Sequence, residues 1–226
     1  GVPATLLRLE PHHQVAVVEL GTNHPGELAP LINMARPPYG LLTGIGHEHL
    51  EHFGNLEGVA HEEGMLPELL PASGKLFLYG DGDWVKPMIE RSQAPVVAVG
   101  FDAVNDWRVG NVRVNEKGTH FTVHSPIAAI SGDYLTPLLG EHQAGNAALA
   151  LAVGAELGMN RDRMVRGLAA TTVPRMRLEL SERGGVRWLN DAYNANVDSV
   201  RAALVTLANL QGAGECYVVL GEMAEL

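Results

Sequence analysis

The sequence predicts an α/β fold: a mostly parallel sheet flanked by helices, with an added β-hairpin region and a partial second α/β domain. Three observations carry that expectation. Short apolar, β-branched runs alternate with helical stretches, which implies βαβ units, parallel pairing and right-handed crossovers. Two runs of alternating character, Trp107 to Val114 and Thr119 to His124, flank Asn115-Glu116-Lys117-Gly118, a hairpin signal. After a linker-like stretch at Thr171 to Pro174, strand and helix signals start again.

Taken in order, Val15 to Leu20 reads as a buried strand closed by Gly21. Glu27 to Ala35 can form a helix, and Leu41 to Thr43 a strand after the breaker Pro37-Pro38. Leu56 to Leu70 is helix-like, interrupted by Gly64 and Pro67. Leu76 to Tyr79 reads as a strand running into a turn at Gly80-Asp81-Gly82, Asp83 to Ser92 as a helix and Pro95 to Val99 as a strand. Beyond the hairpin, Gly140 to Leu157 is an Ala-rich helix and Arg161 to Ala169 another. A strand pair near Arg177 to Leu189, a helix at Ser199 to Leu210 and a strand at Tyr217 to Leu220 complete the pattern. The expected domains are 1–173 and 174–226, the second too short for a complete doubly wound sheet.

With 226 residues, 46% of them apolar, the chain can bury a sizeable core. Its 26 acidic and 16 basic residues give a net charge of −10, which argues against a general nucleic-acid or anionic-membrane binder. The single cysteine, Cys216, excludes an intramolecular disulfide framework and a Cys-based zinc cage. No run of 18 apolar residues suggests a membrane span. Neither end has the look of a natural terminus, so a fragment of a longer protein is expected.

Several clusters could carry chemistry. Glu19 stands at the carboxyl end of an expected strand, where ligands of open α/β sheets gather. It can hold a metal or a substrate, or simply bond the next turn. The loop Gly44 to Gly54 holds His47, His49 and His52, but not at the spacing of a metalloprotease helix. His47 and His52 read as solvated loop residues. Glu62-Glu63 follows on the next helix; the chain must turn near Phe53-Gly54-Asn55 for His49 and Glu63 to meet. The alternative for Glu62-Glu63 is an exposed acidic helix start near Asn55. His142 and Asn146 are i and i+4 at the opening of a helix, whose N–H groups can receive an anion. Arg175 and Arg177 can grip phosphate or carboxylate, or be surface arginines on an edge strand. The run Asp191 to Ser199 is unusually rich in polar groups, with Asp198 or Ser199 placed to cap the following helix. No GxxxxGK[ST] phosphate loop is present.

The segments GVPATLLRL, VVELGTNHPGEL, TGIGHEHLEHFGNLEGVA, GEHQAGNAAL, PRMRLE, NDAYNANVDSVRAAL and VVLGEMAEL occur in the order seen in the Mur ligases. The chain resembles that family across almost its whole length. The DxYNAN run points to the branch that joins a UDP-N-acetylmuramoyl tripeptide to D-alanyl-D-alanine in peptidoglycan synthesis. The resemblance implies a P-loop-like central, ATP-binding domain, N-terminally truncated, followed by the start of a Rossmann-like C-terminal domain. It implies an ATP-dependent, cytoplasmic, monomeric acid–amino-acid ligase with Mg2+, and a fragment inactive by itself. Glu19 and His49 match the family's magnesium-ligand positions. His142 and Asn146 match an adenine-side helix, with Gln143 in place of an Asn. Arg175 or Arg177 would approach the nucleotide phosphates, Asp191 the ribose, and Tyr193 and Asn194 the dipeptide or the reacting centre. Gly44 replaces a usual Asn. Glu63 stands where the family has a carbamylated lysine, and is expected to supply that carboxylate itself as a third metal ligand. A Mur-type ligase with another amino-acid acceptor and a non-catalytic nucleotide-binding module are the two alternatives.

Overall fold

The computed structural model describes residues 1–210, 212 and 214–223. The chain divides into two compact units, one formed by residues 1–78 and 82–96, the other by residues 79–81 and the described residues from 97 to 223.

In the first unit, Pro3 opens a short helix α1 (Val2–Leu6). Helix α2 (Leu28–Ala35) buries Leu28 and Ile32, one turn apart on a single face. It ends where Arg36 turns left-handed (φ 46°), and Pro37-Pro38 prevents continuation. Strand β1 (Tyr39–Leu42) pairs in parallel with β2 (Lys75–Tyr79), Gly40 opposite Leu76 and Leu42 opposite Leu78. Between them lie α3 (Leu50–Phe53), α4 (Leu56–Glu63) and α5 (Met65–Leu69). Asn55 caps α4, its Oδ1 accepting from Gly58 N at 2.9 Å. Gly40 lets α5 pack onto β1, since a Cβ there would lie 2.7 Å from Leu70 Cδ1. Helix α6 (Val85–Arg91) adds Met88 to a core of Leu28, Ile32, Leu42, Leu66, Leu70, Leu76 and Leu78.

The second unit is built on β3 (Val96–Gly100), β4 (Trp107–Asn115), β5 (Gly118–His124) and β6 (Gly132–Thr136). β3 and β4 are parallel; β4–β5 and β5–β6 are antiparallel. Residues 115–118 close the expected hairpin, with Asn115 opposite Gly118. β6 carries no strong alternation and was not expected from the sequence. Helix α7 (Glu141–Glu156) packs its alanines, Ala144, Ala147, Ala148 and Ala152, against this sheet. Small side chains allow that close approach. Asn160 caps α8 (Arg161–Ala169), accepting from Arg163 N at 3.0 Å. β7 (Glu179–Arg183) and β8 (Val186–Asn190) form a two-residue hairpin with Gly184 and Gly185 at positive φ (60° and 75°), as such turns require. Strands β1 to β6 run in sequence order through a mostly parallel six-stranded sheet, and β7–β8 is a separate two-stranded sheet.

Three expectations are corrected. Val15 to Leu20 is not a strand; it is irregular, and Val17 is 92% exposed. Tyr217 to Leu220 is likewise irregular, with Val219 94% exposed. β-branched runs become strands only when a neighbouring strand takes up their N–H and C=O groups. Among the described residues neither run has such a partner in the sheets. Residues 224–226 of the VVLGEMAEL motif lie outside the described residues. The cap of α9 (Val197–Leu210) is Asn196, not Asp198 or Ser199. Asn196 Oδ1 accepts from Ser199 N at 2.7 Å while Ser199 Oγ accepts from Asn196 N at 2.9 Å, a reciprocal box.

Candidate active site

In the first unit the structure places Glu19 in the exposed irregular segment rather than at a strand end. His49 immediately precedes α3 in a left-handed conformation (φ 51°), half-buried. Glu63 closes α4, also half-buried. Burial, and after it the negative charges of Glu48 and Glu62, push the Glu63 carboxyl up to about 7. A divalent cation is one way to relieve such crowding, so the charge environment of Glu63 fits a hard metal. Among the described residues no three His, Cys, Asp or Glu side chains are grouped as a ready metal cage. His52 stacks on His24 with ring centroids 4.0 Å apart.

The neighbouring Glu62 has a different task, which the sequence did not reveal. It is 4% exposed and accepts from Gly26 N at 2.8 Å and Leu28 N at 2.7 Å. Its carboxylate thus satisfies backbone donors at the start of α2 and favours the positive end of that helix.

The second unit gathers residues from three separate sequence motifs. On α7, Asn146 Nδ2 donates to Gln143 Oε1 at 3.4 Å, and the amide of Gln143 lies 3.2 Å from His142 Nε2. Burial pushes the His142 imidazole down, against the opposing pull of the Asp191 and Glu141 charges. Asp191 therefore lies within electrostatic reach of the α7 face. Asp191 Oδ1 accepts from Leu178 N at 2.9 Å, and Tyr193 N donates to Met176 O at 3.0 Å. Those two bonds pull the PRMRLE turn and the DAYNAN run together. Met176 and Leu178 hold positive φ (58° and 49°), a conformation side chains other than glycine adopt only when surrounding bonds enforce it. The Arg177 guanidinium stacks over the Tyr193 ring, 4.1 Å from its centroid. Arg175 and Asn194 are exposed, Asn194 Oδ1 accepting from Ala195 N.

Sequence reasoning read Asp81 as a turn residue and missed its role. Asp81 Oδ2 accepts from Phe101 N at 2.7 Å; Oδ1 accepts from Asp102 N at 3.0 Å and from Asn105 Nδ2 at 2.7 Å. Asn105 is 6% exposed. The signal was available: Asp81 stands just past a strand, the same argument that singled out Glu19.

A sheet with Asp81 just past a parallel strand and a helix N-terminus lined by imidazole and amides belongs to the α/β class whose strand ends and helix N-termini receive ligands. The model of the Mur ligase middle domain matches residues 1–154 and that of the Mur ligase glutamate ligase domain residues 176–226, so the chain belongs to the Mur ligase family. It is similar to the UDP-N-acetylmuramoyl-tripeptide–D-alanyl-D-alanine ligase of Escherichia coli, 37% identical over 229 aligned positions that take in all of this chain and 50% of the relative. The crystal structure of MurF from Acinetobacter baumannii superimposes with a TM-score of 0.86 at 28% identity, over 93% of this chain and 46% of that one. The Mycobacterium tuberculosis folylpolyglutamate synthase, solved with ADP and AMPPCP, gives 0.63 at 27% identity, over 79% and 40%. The chain spans about half the length of the curated relatives it matches.

Proposed function

We propose that the complete protein uses ATP to join the carboxylate of a UDP-N-acetylmuramoyl tripeptide to the amine of D-alanyl-D-alanine. The observation that carries this reading is the match of the whole chain to ligases of that name, with the motifs of that branch clustered around Asp191. The carboxylate oxygen attacks the γ-phosphorus of ATP, giving an acyl phosphate and ADP. The dipeptide amine then attacks the acyl carbon, loses a proton and expels phosphate.

Each residue has a proposed part. His142, kept neutral by burial, offers one ring donor and one acceptor to the adenine edge alongside Asn146. Asp191, anchored through one oxygen, accepts a ribose hydroxyl with the other. Arg177, braced on Tyr193, presents its planar fork to phosphate oxygens, and Arg175 assists. Tyr193 and Asn194 face the dipeptide or the reacting centre. Mg2+ would be held by Glu19, His49 and Glu63 and would there neutralise phosphate charge; these side chains form no ready cage and would have to converge on the ion. Glu63 takes the place of a carbamylated lysine, its crowded carboxylate supporting that role. We place the domain boundary near Val173, between the two stretches matched by the family models. The enzyme is proposed to act as a cytoplasmic monomer, where ATP and UDP-linked precursors are made; among the described residues no helix is long and apolar enough to cross a membrane.

Phosphate release by the complete protein should require ATP, the tripeptide substrate and D-alanyl-D-alanine together. Equal release with a single amino acid in place of the dipeptide would instead point to a Mur-type ligase of other specificity. No acceptor-dependent release at all would point to a non-catalytic nucleotide-binding module. In the same assay Glu63→Ala should raise the magnesium concentration required; an unchanged requirement removes Glu63 from the metal site.

A further inference from the structure

We propose that Tyr79 and Phe101 form an aromatic wall for the purine base of the nucleotide, beside the first turns of α7. This rests on the reading of α7 as the nucleotide helix. Tyr79 ends β2 and Phe101 directly follows β3, so both rings stand at the carboxyl ends of parallel strands, where α/β folds receive ligands. The rings meet edge to face, centroids 6.5 Å apart at 70°.

Both rings press on α7 at one residue. A Cβ on Gly145 would lie 3.0 Å from Tyr79 Cε2 and 3.7 Å from Phe101 Cε2. Glycine inside a helix is unfavourable relative to alanine, so this close approach gives the position a reason. Gly145 is one residue before Asn146 and three after His142, which puts the rings on the flank of the polar face. Both rings are only half-buried. Flat, partly open aromatic faces suit a heteroaromatic base.

The wall is also held in place. Asp81 fixes the Phe101 backbone through the 2.7 Å bond and, by taking Asp102 N and Asn105 Nδ2, the loop behind it. Burial, and then the Asp81 charge, push the Tyr79 phenol up, so it stays protonated and presents no negative charge to a nucleotide.

The test measures ATP and CTP binding to the complete protein by calorimetry, with thermal melting alongside. Tyr79→Leu should weaken ATP about 10-fold and CTP, with its smaller ring, clearly less. Phe101→Leu should act in the same direction, and serves if Tyr79→Leu does not fold. Tyr79→Phe, which keeps the ring, should restore most of the affinity. If the leucine variants lower the melting temperature yet leave the ATP-to-CTP ratio unchanged, the rings are packing groups and the proposal is overturned. His142→Ala separates the two layers. Weaker ATP binding there, with none in the leucine variants, sinks only the wall; unchanged ATP binding in all three sinks the α7 reading and the wall with it.

Discussion

In the first unit Glu62 accepts two backbone N–H groups at the head of α2; in the second Asp81 accepts two backbone N–H groups and a side-chain amide after β2. Both carboxylates are therefore loop anchors. Their neighbourhoods differ. Asp81 lies among donors and steadies the residues that border α7. Glu62 lies beside a second acid, Glu63, whose carboxyl is pushed up by burial and by the charges of Glu48 and Glu62. The contrast shows that the role of a carboxylate follows from how many N–H groups converge on it. Where donors converge, the acid is structural; where other acids converge, it has a free-energy reason to take up a proton or a cation.

The comparison can be broken most forcefully at Asp81. Asp81→Ala leaves Phe101 N, Asp102 N and the buried Asn105 amide without their acceptor, and should cost about 3 kcal/mol in urea unfolding. A loss within the range of an ordinary surface substitution would show that this anchor is replaceable by water.

The next effect has the opposite sign. The folded-state carboxyl of Glu63 titrates near 7, above its ordinary 4.5, so the folded protein holds its proton more tightly than the unfolded chain. The associated stability is fully present below pH 4.5 and is lost as pH rises towards and through 7. Glu63→Gln should therefore match the parent at pH 4 and exceed it by about 2 kcal/mol at pH 8, after allowing for solvent screening. Chemical denaturation across that window checks it; parallel stability curves for parent and variant would remove Glu63 from its crowded setting.

The smallest effect sharpens the second unit alone. Arg187 Nη1 lies 2.5 Å from Glu116 Oε1, tying β8 to the β4–β5 turn at the surface. A double-mutant cycle with Arg187→Ala and Glu116→Ala should give a coupling of about 0.5 kcal/mol, falling with added salt. A coupling several times larger would show that this contact is shielded from water.

Much of the fold was legible in the chain because the signals are local. The Ala-rich periodicity of α7, the Arg161–Ala169 helix with Asn160 before it, and the Gly184-Gly185 hairpin each depend on residues within a few positions. The same local reading failed for Val15 to Leu20 and Tyr217 to Leu220, whose apolar content is strand-like but whose backbone finds no neighbour among the described strands. It also could not see β6, which exists because β5 offers it an edge. In the candidate site, the motif residues His142, Arg177, Asp191 and Tyr193 were all visible as letters. Their grouping was not, since it hangs on Leu178 N reaching Asp191 and Met176 O receiving Tyr193 N.

The amino-acid order by itself settled where the longer helices lie, which runs are apolar, and which motifs place the chain among the Mur ligases, because each of these is written in spacing along the backbone. Only the tertiary structure decided which of two adjacent glutamates anchors a helix and which stands among like charges. It also decided that Asp81 fastens the loop beside Tyr79. Convergence of donors on a carboxylate is made by residues far apart in the chain, and distance in space has no local signature in sequence.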